Sequence, residues 1–236
     1  MLINNIDINN FGSNLLEKQI STAESNIINE WIDGAFRPIV LNKNNKYIAV
    51  NCKFVVKGDT KQALEEKKSV FLKYLEICTV KFEDIDFYFD CILQSKSNEY
   101  IGTDVCDNSE VERADVLLVS GYKYKPETTE LLNRLSSKTL NVPGNIETPA
   151  IVEITPSVSL VDLVVTGLGD SFTIKNLTAG QKVIISGEDG TVLQNGANKF
   201  GDYDCWDFPK LQPGANTITL SKNSCDVNIK YKPRWI

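Results

Sequence analysis

The sequence predicts a mostly β chain of two domains: an α+β N-terminal domain with one main helix, followed by an all-β sandwich. Residues 47–56 alternate between apolar and polar side chains, which is typical of a half-buried strand. The next segment repeats apolar residues at three- and four-residue steps, as an amphipathic helix does. After Pro149 the chain contains short apolar runs separated by Gly, Asn and Asp turns, a pattern typical of sandwiches. At 236 residues, 42% of them hydrophobic, the chain is long enough for two domains.

The N-terminal domain is predicted to contain several strands. Residues 2–8 form a first short strand, and further strands are expected at 86–93 and 114–125. The polar, acidic residues 94–113 are interpreted as a connection between the last two strands. Within 47–56, five side chains share the face expected to be buried: Ile48, Val50, Cys52, Phe54 and Val56.

The main helix is predicted to begin after Asp59 or Thr60, since either side chain can cap a helix. Its charged face carries Glu65, Glu66, Lys67 and Lys68. Its apolar face, which we expect to pack on a sheet, holds Ala63, Leu64, Val70, Phe71, Tyr74, Leu75 and Cys78.

The amino-acid composition changes between the two predicted domains. Residues 127–148 are rich in proline and polar side chains, and we interpret them as a linker with a short helix around Leu131 and Leu135. The predicted boundaries are therefore 1–126 for the first domain and 149–236 for the second.

The second domain is predicted to fold on its own as a β-sandwich. Residues 187–190 form a hairpin turn, and the Pro213-Gly214 pair forms a turn before a strand. In that strand Ile218 and Leu220 are expected to face the core, while Thr217, Thr219 and Ser221 face solvent.

Composition excludes several kinds of chemistry. The chain has no histidine, which excludes histidine-based catalytic triads and histidine-ligated zinc. The six cysteines form no C-x-x-C pair, so we expect buried or half-buried thiols. A net charge of −6 disfavours non-specific nucleic-acid binding, and no nucleotide-binding motif is present. We expect no cofactor, no membrane insertion and no secretory signal.

The stretch DYDCWDF, residues 202–208, is a candidate for a metal-binding or sugar-binding site. Its aspartates do not follow the calcium-loop pattern, so we expect no metal. Tyr203 and Trp206 are candidate sugar contacts, but we expect Trp206 to pack into the sandwich with Phe208. Weak or absent sugar affinity follows from that expectation.

The chain resembles the distal tail protein (Dit) family of long-tailed phages and prophages over essentially its whole length. The resemblance is carried by the order of INNIDINNFG, EWIDGAFRPIVLN, TPAIVEITPSVSLVDLVVTGLGDSFTIKNLTAGQKVIISGEDGTV, KFGDYDCWDFPKLQPGANTITLS and VNIKYKPRWI. Its most specific part is a Pro-x-Leu-x-Pro-Gly-x-Asn turn, here Pro209, Leu211, Pro213, Gly214 and Asn216.

The resemblance implies a structural protein with no catalytic residues. The first domain would be a belt that forms a hexameric ring, and the second a galectin-like or carbohydrate-module-like sandwich outside it. The ring would join the tail tube protein to the baseplate hub or tail-associated protein. It would also serve as a platform for receptor-binding proteins, and the tape-measure protein is a further expected neighbour. The chain would be assembled in the bacterial host cytoplasm and reside in the virion, at the tail tip. The alternative is a carbohydrate-binding module with an accessory domain.

The implied ring gives the acidic segment 81–115 a possible role. Its carboxylates, repeated six times, would repel DNA that passes through the ring and keep it from sticking. The candidate acids at the lumen or its rim are Glu99, Asp104, Asp107, Glu110, Glu112 and Asp115. A solvated surface loop is the alternative interpretation of the same acids.

Overall fold

The computed structural model describes residues 1–236 and divides the chain into two compact units. The first unit comprises Met1–Lys123 with Ile236, and the second comprises Tyr124–Trp235. The mostly β fold class with a single α-helix is confirmed. No helix is long and apolar enough to cross a membrane.

The first unit contains one antiparallel sheet, one α-helix and a separate two-stranded hairpin. The sheet has the strand order β2-β1-β7-β8-β9-β6-β3, and β4 pairs only with β5. The elements are β1 (Leu2–Ile3), β2 (Ile6–Asp7), β3 (Ser13–Ile20), β4 (Ser25–Glu30), β5 (Ile39–Asn45), β6 (Ile48–Gly58), α1 (Lys61–Tyr74), β7 (Ile77–Lys81), β8 (Tyr88–Thr103) and β9 (Glu110–Ser120). A 3-10 turn spans Ile8–Phe11.

The core of the first unit lies between α1 and one face of this sheet. The Thr60 side chain caps the helix by accepting a hydrogen bond from the Ala63 N–H, at 3.1 Å. The rings of Phe71 on α1 and Phe54 on β6 meet edge to face, with centroids 5.0 Å apart. The five β6 side chains predicted to share the buried face are all buried. The sheet face that α1 does not cover is called the open face below; it carries Asn51 and Lys53.

Several predictions for the first unit are wrong. Residues 2–8 form the two paired strands β1 and β2, joined by a tight turn at Asn4 and Asn5, rather than one strand. The segment 94–113 is mostly strand rather than connection, because β8 runs to Thr103 and β9 begins at Glu110. Cross-strand pairing with β9 supports these polar residues, which their composition alone does not indicate. The helix ends at Tyr74, and Cys78 belongs to β7, where it is buried by alternation along the strand.

The second unit is a sandwich of two antiparallel sheets. One has the order β11-β22-β13-β16-β17-β18 with β20 beside β13, and the other is β12-β21-β14-β15-β19. Its strands are β11 (Thr128–Leu131), β12 (Ser137–Val142), β13 (Thr148–Pro156), β14 (Leu160–Thr166), β15 (Phe172–Leu177), β16 (Val183–Ser186), β17 (Thr191–Gln194), β18 (Ala197–Asn198), β19 (Tyr203–Asp204), β20 (Lys210–Leu211), β21 (Gly214–Leu220) and β22 (Cys225–Tyr231). Two further short strands, β10 (Lys123–Tyr124) and β23 (Arg234–Trp235), pair with each other and belong to neither sheet of the sandwich.

Residues 127–148 are not a linker. They form β11 and β12, which extend the two sheets by pairing with β22 and β21. No helix forms around Leu131 and Leu135; the intervening Leu132 is fully buried, as are Leu140 and Val142. The second unit therefore begins at Tyr124, well before the predicted start at residue 149.

The Pro-Gly turn before β21 forms as predicted. Gly214 has φ +93°, a conformation that favours glycine. The Asn216 side chain accepts a hydrogen bond from the Gln212 N–H and donates to the Gln212 carbonyl oxygen, at 3.0 and 2.7 Å. The buried side-chain amide of Asn216 thus provides hydrogen-bond partners for both backbone polar groups of Gln212. The alternation of Thr217 to Ser221 is also confirmed, with Ile218 and Leu220 buried.

Candidate functional site

The β4–β5 hairpin is the largest exposed apolar feature of the first unit. All thirteen residues of its two strands are exposed, and the strands pair only with each other. The hairpin and its connection expose eight large apolar side chains: Ile27, Ile28, Trp31, Ile32, Phe36, Ile39, Val40 and Leu41, between 47% and 104% exposed. An exposed apolar surface of this extent is typical of a protein contact site.

This hairpin was not predicted from the sequence. Its apolar residues stand next to one another in both strands, so they show no period-two pattern that marks one buried face. The signal that the sequence offered for this hairpin was a dense run of apolar residues without a regular period. Apolar side chains on both faces of a free-standing hairpin indicate a protein contact rather than an internal core.

Four of the six candidate lumen acids lie on or beside the open face, and each has a basic partner. Arg113 contacts Glu99 at 2.6 Å and Asp115 at 3.5 Å. At the β8–β9 turn, the Lys57 ammonium donates to Asp104 at 2.6 Å and to Asp107 at 3.1 Å. These carboxylates are therefore partly neutralised by their neighbours.

Hydrogen bonds keep the turn acids ionised. Donation from the Ser109 hydroxyl and N–H, with a further contribution from Lys57, lowers the pKa of Asp107 to about 2. The Lys57 ammonium and the Cys106 N–H likewise lower the pKa of Asp104. Both groups remain charged at neutral pH, and their hydrogen bonds hold the turn in one conformation.

The other two acids lie on the helix side of the sheet. Glu112 is only 5% exposed, and its oxygens accept hydrogen bonds from the Lys68 ammonium of α1 at 3.0 and 3.1 Å. Glu110 accepts a hydrogen bond from the Tyr100 hydroxyl. The six acids consequently do not form one surface, and Glu112 is enclosed in a structural ion pair.

The loop of residues 202–208 in the sandwich packs differently from the prediction. Trp206 is 103% exposed, so the prediction that it packs inward is wrong. The strand β19 ends at Asp204, and the neighbouring Cys205 and Phe208 take the positions against the core. Alternation therefore does not continue through this loop, and the indole is turned outward.

Tyr203 is unsuited to a sugar contact. Its ring is buried and stacks on Phe208 at a centroid distance of 5.6 Å, with an interplanar angle of 14°. Its hydroxyl donates to the Asp207 carbonyl oxygen at 2.6 Å, and burial raises its pKa. The two candidate sugar contacts thus share no exposed surface.

The aspartates and cysteines form no metal site. Asp202, Asp204 and Asp207 each pair with a different lysine: Lys199, Lys175 and Lys210 respectively. No group of three or more acidic, cysteine or histidine side chains is arranged to hold a metal ion. All six cysteines are free thiols, and Cys106 is exposed, contrary to the expectation for the set. Burial raises the pKa of Cys52 and of Cys78 to about 12.

The second unit matches a known family of tail proteins. Residues 143–235 match the family model SPP1_Dit, described as siphovirus-type tail component, C-terminal domain. These residues are similar to a siphovirus-type tail component domain, and the match covers less than half of the chain.

The whole chain is similar in fold to solved phage proteins. The SPP1 Dit (gp 19.1) protein, described as a paradigm of the hub adsorption apparatus in phages infecting Gram-positive hosts, matches with a TM-score of 0.77. It is 11% identical, and the match covers 100% of this chain and 98% of that chain. The resemblance to the distal tail protein family is confirmed.

Two structures of the phage P2 baseplate in its activated conformation, one with Ca and one with Sr, also match. Their TM-scores are 0.52 and 0.53, and their identities are 13% and 14%. The matches cover 96% and 95% of this chain and 92% of each matching chain. At these low identities the structures show a shared fold. No curated protein sequence matches the chain.

Proposed function

We propose that this chain is a non-catalytic structural component of a phage tail that forms a ring between the tail tube and the baseplate hub. The ring is a homohexamer at the tail tip, and it is a platform for receptor-binding proteins. The resemblance to distal tail proteins supports this role for the whole chain. Assembly takes place in the bacterial host cytoplasm, before the tail becomes part of the virion.

The exposed β4–β5 hairpin is the observation that carries the proposal. Its apolar side chains need a cover that the first unit does not provide. A second copy of the same chain can provide that cover at every position of a closed ring, because each subunit gives one hairpin and receives one. We therefore assign the hairpin to the contact between neighbouring subunits.

Only four of the candidate acids remain suited to a lumen role. Glu112 is enclosed beside Lys68, and Glu110 is engaged by Tyr100, which leaves Glu99, Asp104, Asp107 and Asp115. Because Arg113 and Lys57 partly neutralise these four, we expect them to repel passing DNA weakly. In a reconstructed ring, carboxylates that all point away from the axis would contradict a lumen role.

The ring contact is tested by weakening the hairpin. We expect the double variant Ile28→Ser, Leu41→Ser to lower the mass measured by light scattering from that of a hexamer toward the 26.4 kDa of one chain. The melting temperature of the dissociated chain should be unchanged, because both side chains are exposed. Val161→Ser is the matched control, since Val161 is 79% exposed on the sandwich.

Two results would contradict the proposal. One is an oligomer whose mass the hairpin variant does not change. The other is a reconstruction of the assembled tail without a six-fold ring of this chain at the end of the tube.

A further inference from the structure

The sheet of the first unit leaves two strand edges without a partner. The strand β3 stands at the end of the strand order and pairs only with β6. At the other side, β7 pairs with β8 over residues 88–92, and from Ser95 to Thr103 the register of β8 is with β9 alone. Residues 94–101 of β8 are all exposed. The four strands β8-β9-β6-β3 therefore present one free edge on each side.

The two free edges are similar in length and compatible in charge. Proteins commonly block an exposed edge by making it short or by placing a proline in it. Here β3 has eight residues without a proline, and residues 95–103 of β8 also contain none. Each edge carries one acid and one base, Glu17 with Lys18 on β3 and Glu99 with Lys96 on β8. Neither edge therefore repels the other through net charge.

The directions of the two edges identify the strand that fits them. The strand β3 is antiparallel to β6, β6 to β9, and β9 to β8, so β3 and β8 run in opposite directions. A rotation about an axis along the strands preserves these directions, so β8 of one copy meets β3 of the next copy in the antiparallel sense. Head-to-tail contacts of this kind generate a ring when the rotation closes. A second copy of the chain thus satisfies both edges of every subunit, whereas a strand of another protein would satisfy only one.

The backbone N–H of Asn98, in the middle of the free β8 edge, points out of the sheet. On β6, Lys57 donates its N–H to the Gly12 carbonyl oxygen at 2.9 Å, on the β3 side. Backbone groups alternate in direction along antiparallel strands, so the register directs those of Asp115 on β9 and Ser97 on β8 toward each other. Asn98 follows Ser97 and directs its N–H and carbonyl oxygen away from β9. These are the groups that an added strand would bind.

We infer that the free part of β8 in each subunit pairs in the antiparallel sense with β3 of the next subunit, so that the sheet continues from one subunit to its neighbour. The inference rests on the proposed ring and gives it a second contact besides the β4–β5 hairpin. The hairpin contact depends on apolar side chains, whereas this contact depends on backbone hydrogen bonds.

Hydrogen exchange measured by mass spectrometry tests the pairing without any substitution. The samples are tails purified from host cells and the isolated chain, diluted until light scattering gives the 26.4 kDa of one chain. In the tails, peptides covering residues 13–20 and residues 95–103 should both exchange at least about tenfold more slowly, because hydrogen-bonded amides exchange only through local opening.

A proline at the outward-facing position tests the hydrogen bonds directly. Asn98→Pro removes the N–H that faces the neighbour and no N–H that β9 uses, so the melting temperature of the isolated chain should stay close to that of the wild type. Host cells that produce the tail with this variant should lose assembled tails and accumulate the chain in soluble form. Asn98→Ala is the matched control, because it removes the side chain and keeps the N–H, and it should assemble normally.

The results that contradict this pairing differ from those that contradict the ring. Normal assembly of tails that contain a folded Asn98→Pro chain would overturn the inference. Slower exchange at residues 95–103 without slower exchange at residues 13–20 would also overturn it, since another protein would then cover the β8 edge. If Asn98→Pro does not fold, the exchange measurement decides alone. Wild-type tails without a ring of this chain would instead contradict the proposed function.

Discussion

Glu153 is the most buried ion-paired acid of the sandwich. It lies on β13 and is 8% exposed, and it accepts hydrogen bonds from Lys230 at 2.6 Å and Lys182 at 2.9 Å. Burial by itself would raise the pKa of Glu153, but the two lysine hydrogen bonds outweigh it and lower the pKa from 4.5 to about 2. The folded state therefore favours the ionised carboxylate.

This shift predicts how stability depends on pH. A lowered pKa means that the contribution of Glu153 is fully present above about pH 4.5 and is lost as the pH falls toward 2. We expect Glu153→Gln to lower the free energy of unfolding at pH 7 by roughly 1–3 kcal/mol. The difference between variant and wild type should shrink between pH 4.5 and 2.

Urea unfolding at several pH values measures both effects. Glu130→Gln is the control, because Glu130 pairs with Lys138 near the surface and should change stability by about 0.5 kcal/mol or less. A difference between Glu153→Gln and wild type that is the same at pH 7 and pH 2.5 would contradict the assignment.

Single residues in loops were the least predictable from the sequence. Trp206 and Tyr203 belong to one aromatic run, and only the end of β19 determines which ring turns outward. The basic partners of the candidate acids were also not predictable from the sequence, because Lys57 and Asp104 meet only through the pairing of β6, β9 and β8. By contrast, a helix cap at Asp59 or Thr60 was predicted from the local sequence, and Thr60 provides it.

At the scale of elements, the contact between β6 and α1 depends on a glycine. A Cβ atom on Gly58 would lie 2.4 Å from the Leu64 backbone nitrogen and 2.6 Å from its Cα atom. Because both atoms are backbone, the helix as a whole would have to move away from the strand.

We expect Gly58→Ala to destabilise the protein by about 1–3 kcal/mol or more, as overpacking of a core does. Differential scanning calorimetry of the full chain measures the loss. Gly121→Ala is the matched control, because a Cβ atom added at Gly121 would have no other atom within 4 Å. Equal melting temperatures for the two variants would show that α1 adapts freely.

Elements with a clear period were predicted, and elements without one were not. The alternation of β6 and the helical steps of α1 repeat over enough residues to identify both. The strands β11 and β12 are short, and residues 94–103 of β8 are mostly polar. None of these three segments therefore shows a regular period of apolar residues. Their structure comes from partner strands distant in sequence.

At the scale of the whole molecule, the corrected boundary predicts which fragment folds. A fragment of residues 124–235 should show a β-type circular dichroism spectrum and one cooperative thermal transition. A fragment of residues 149–236 lacks β11 and β12, and with them the buried side chains of Leu132, Leu140 and Val142. Large-to-small changes at such positions cost about 2–5 kcal/mol each, comparable in sum to the whole stability of a domain.

The shorter fragment should therefore be largely unfolded at 25 °C. If both fragments melt at the same temperature, β11 and β12 are dispensable additions to the sandwich, and the boundary expected from the sequence describes the folding unit better.

The free-standing hairpin also affects how the chain must be produced. Before it is covered, β4 and β5 present apolar side chains and unpaired strand edges, the combination that drives aggregation. A subunit made in excess of its partners would be prone to precipitate, so closure of the proposed ring should follow soon after synthesis. The Ile28→Ser, Leu41→Ser variant should accordingly give a higher soluble yield on overexpression than the wild-type chain.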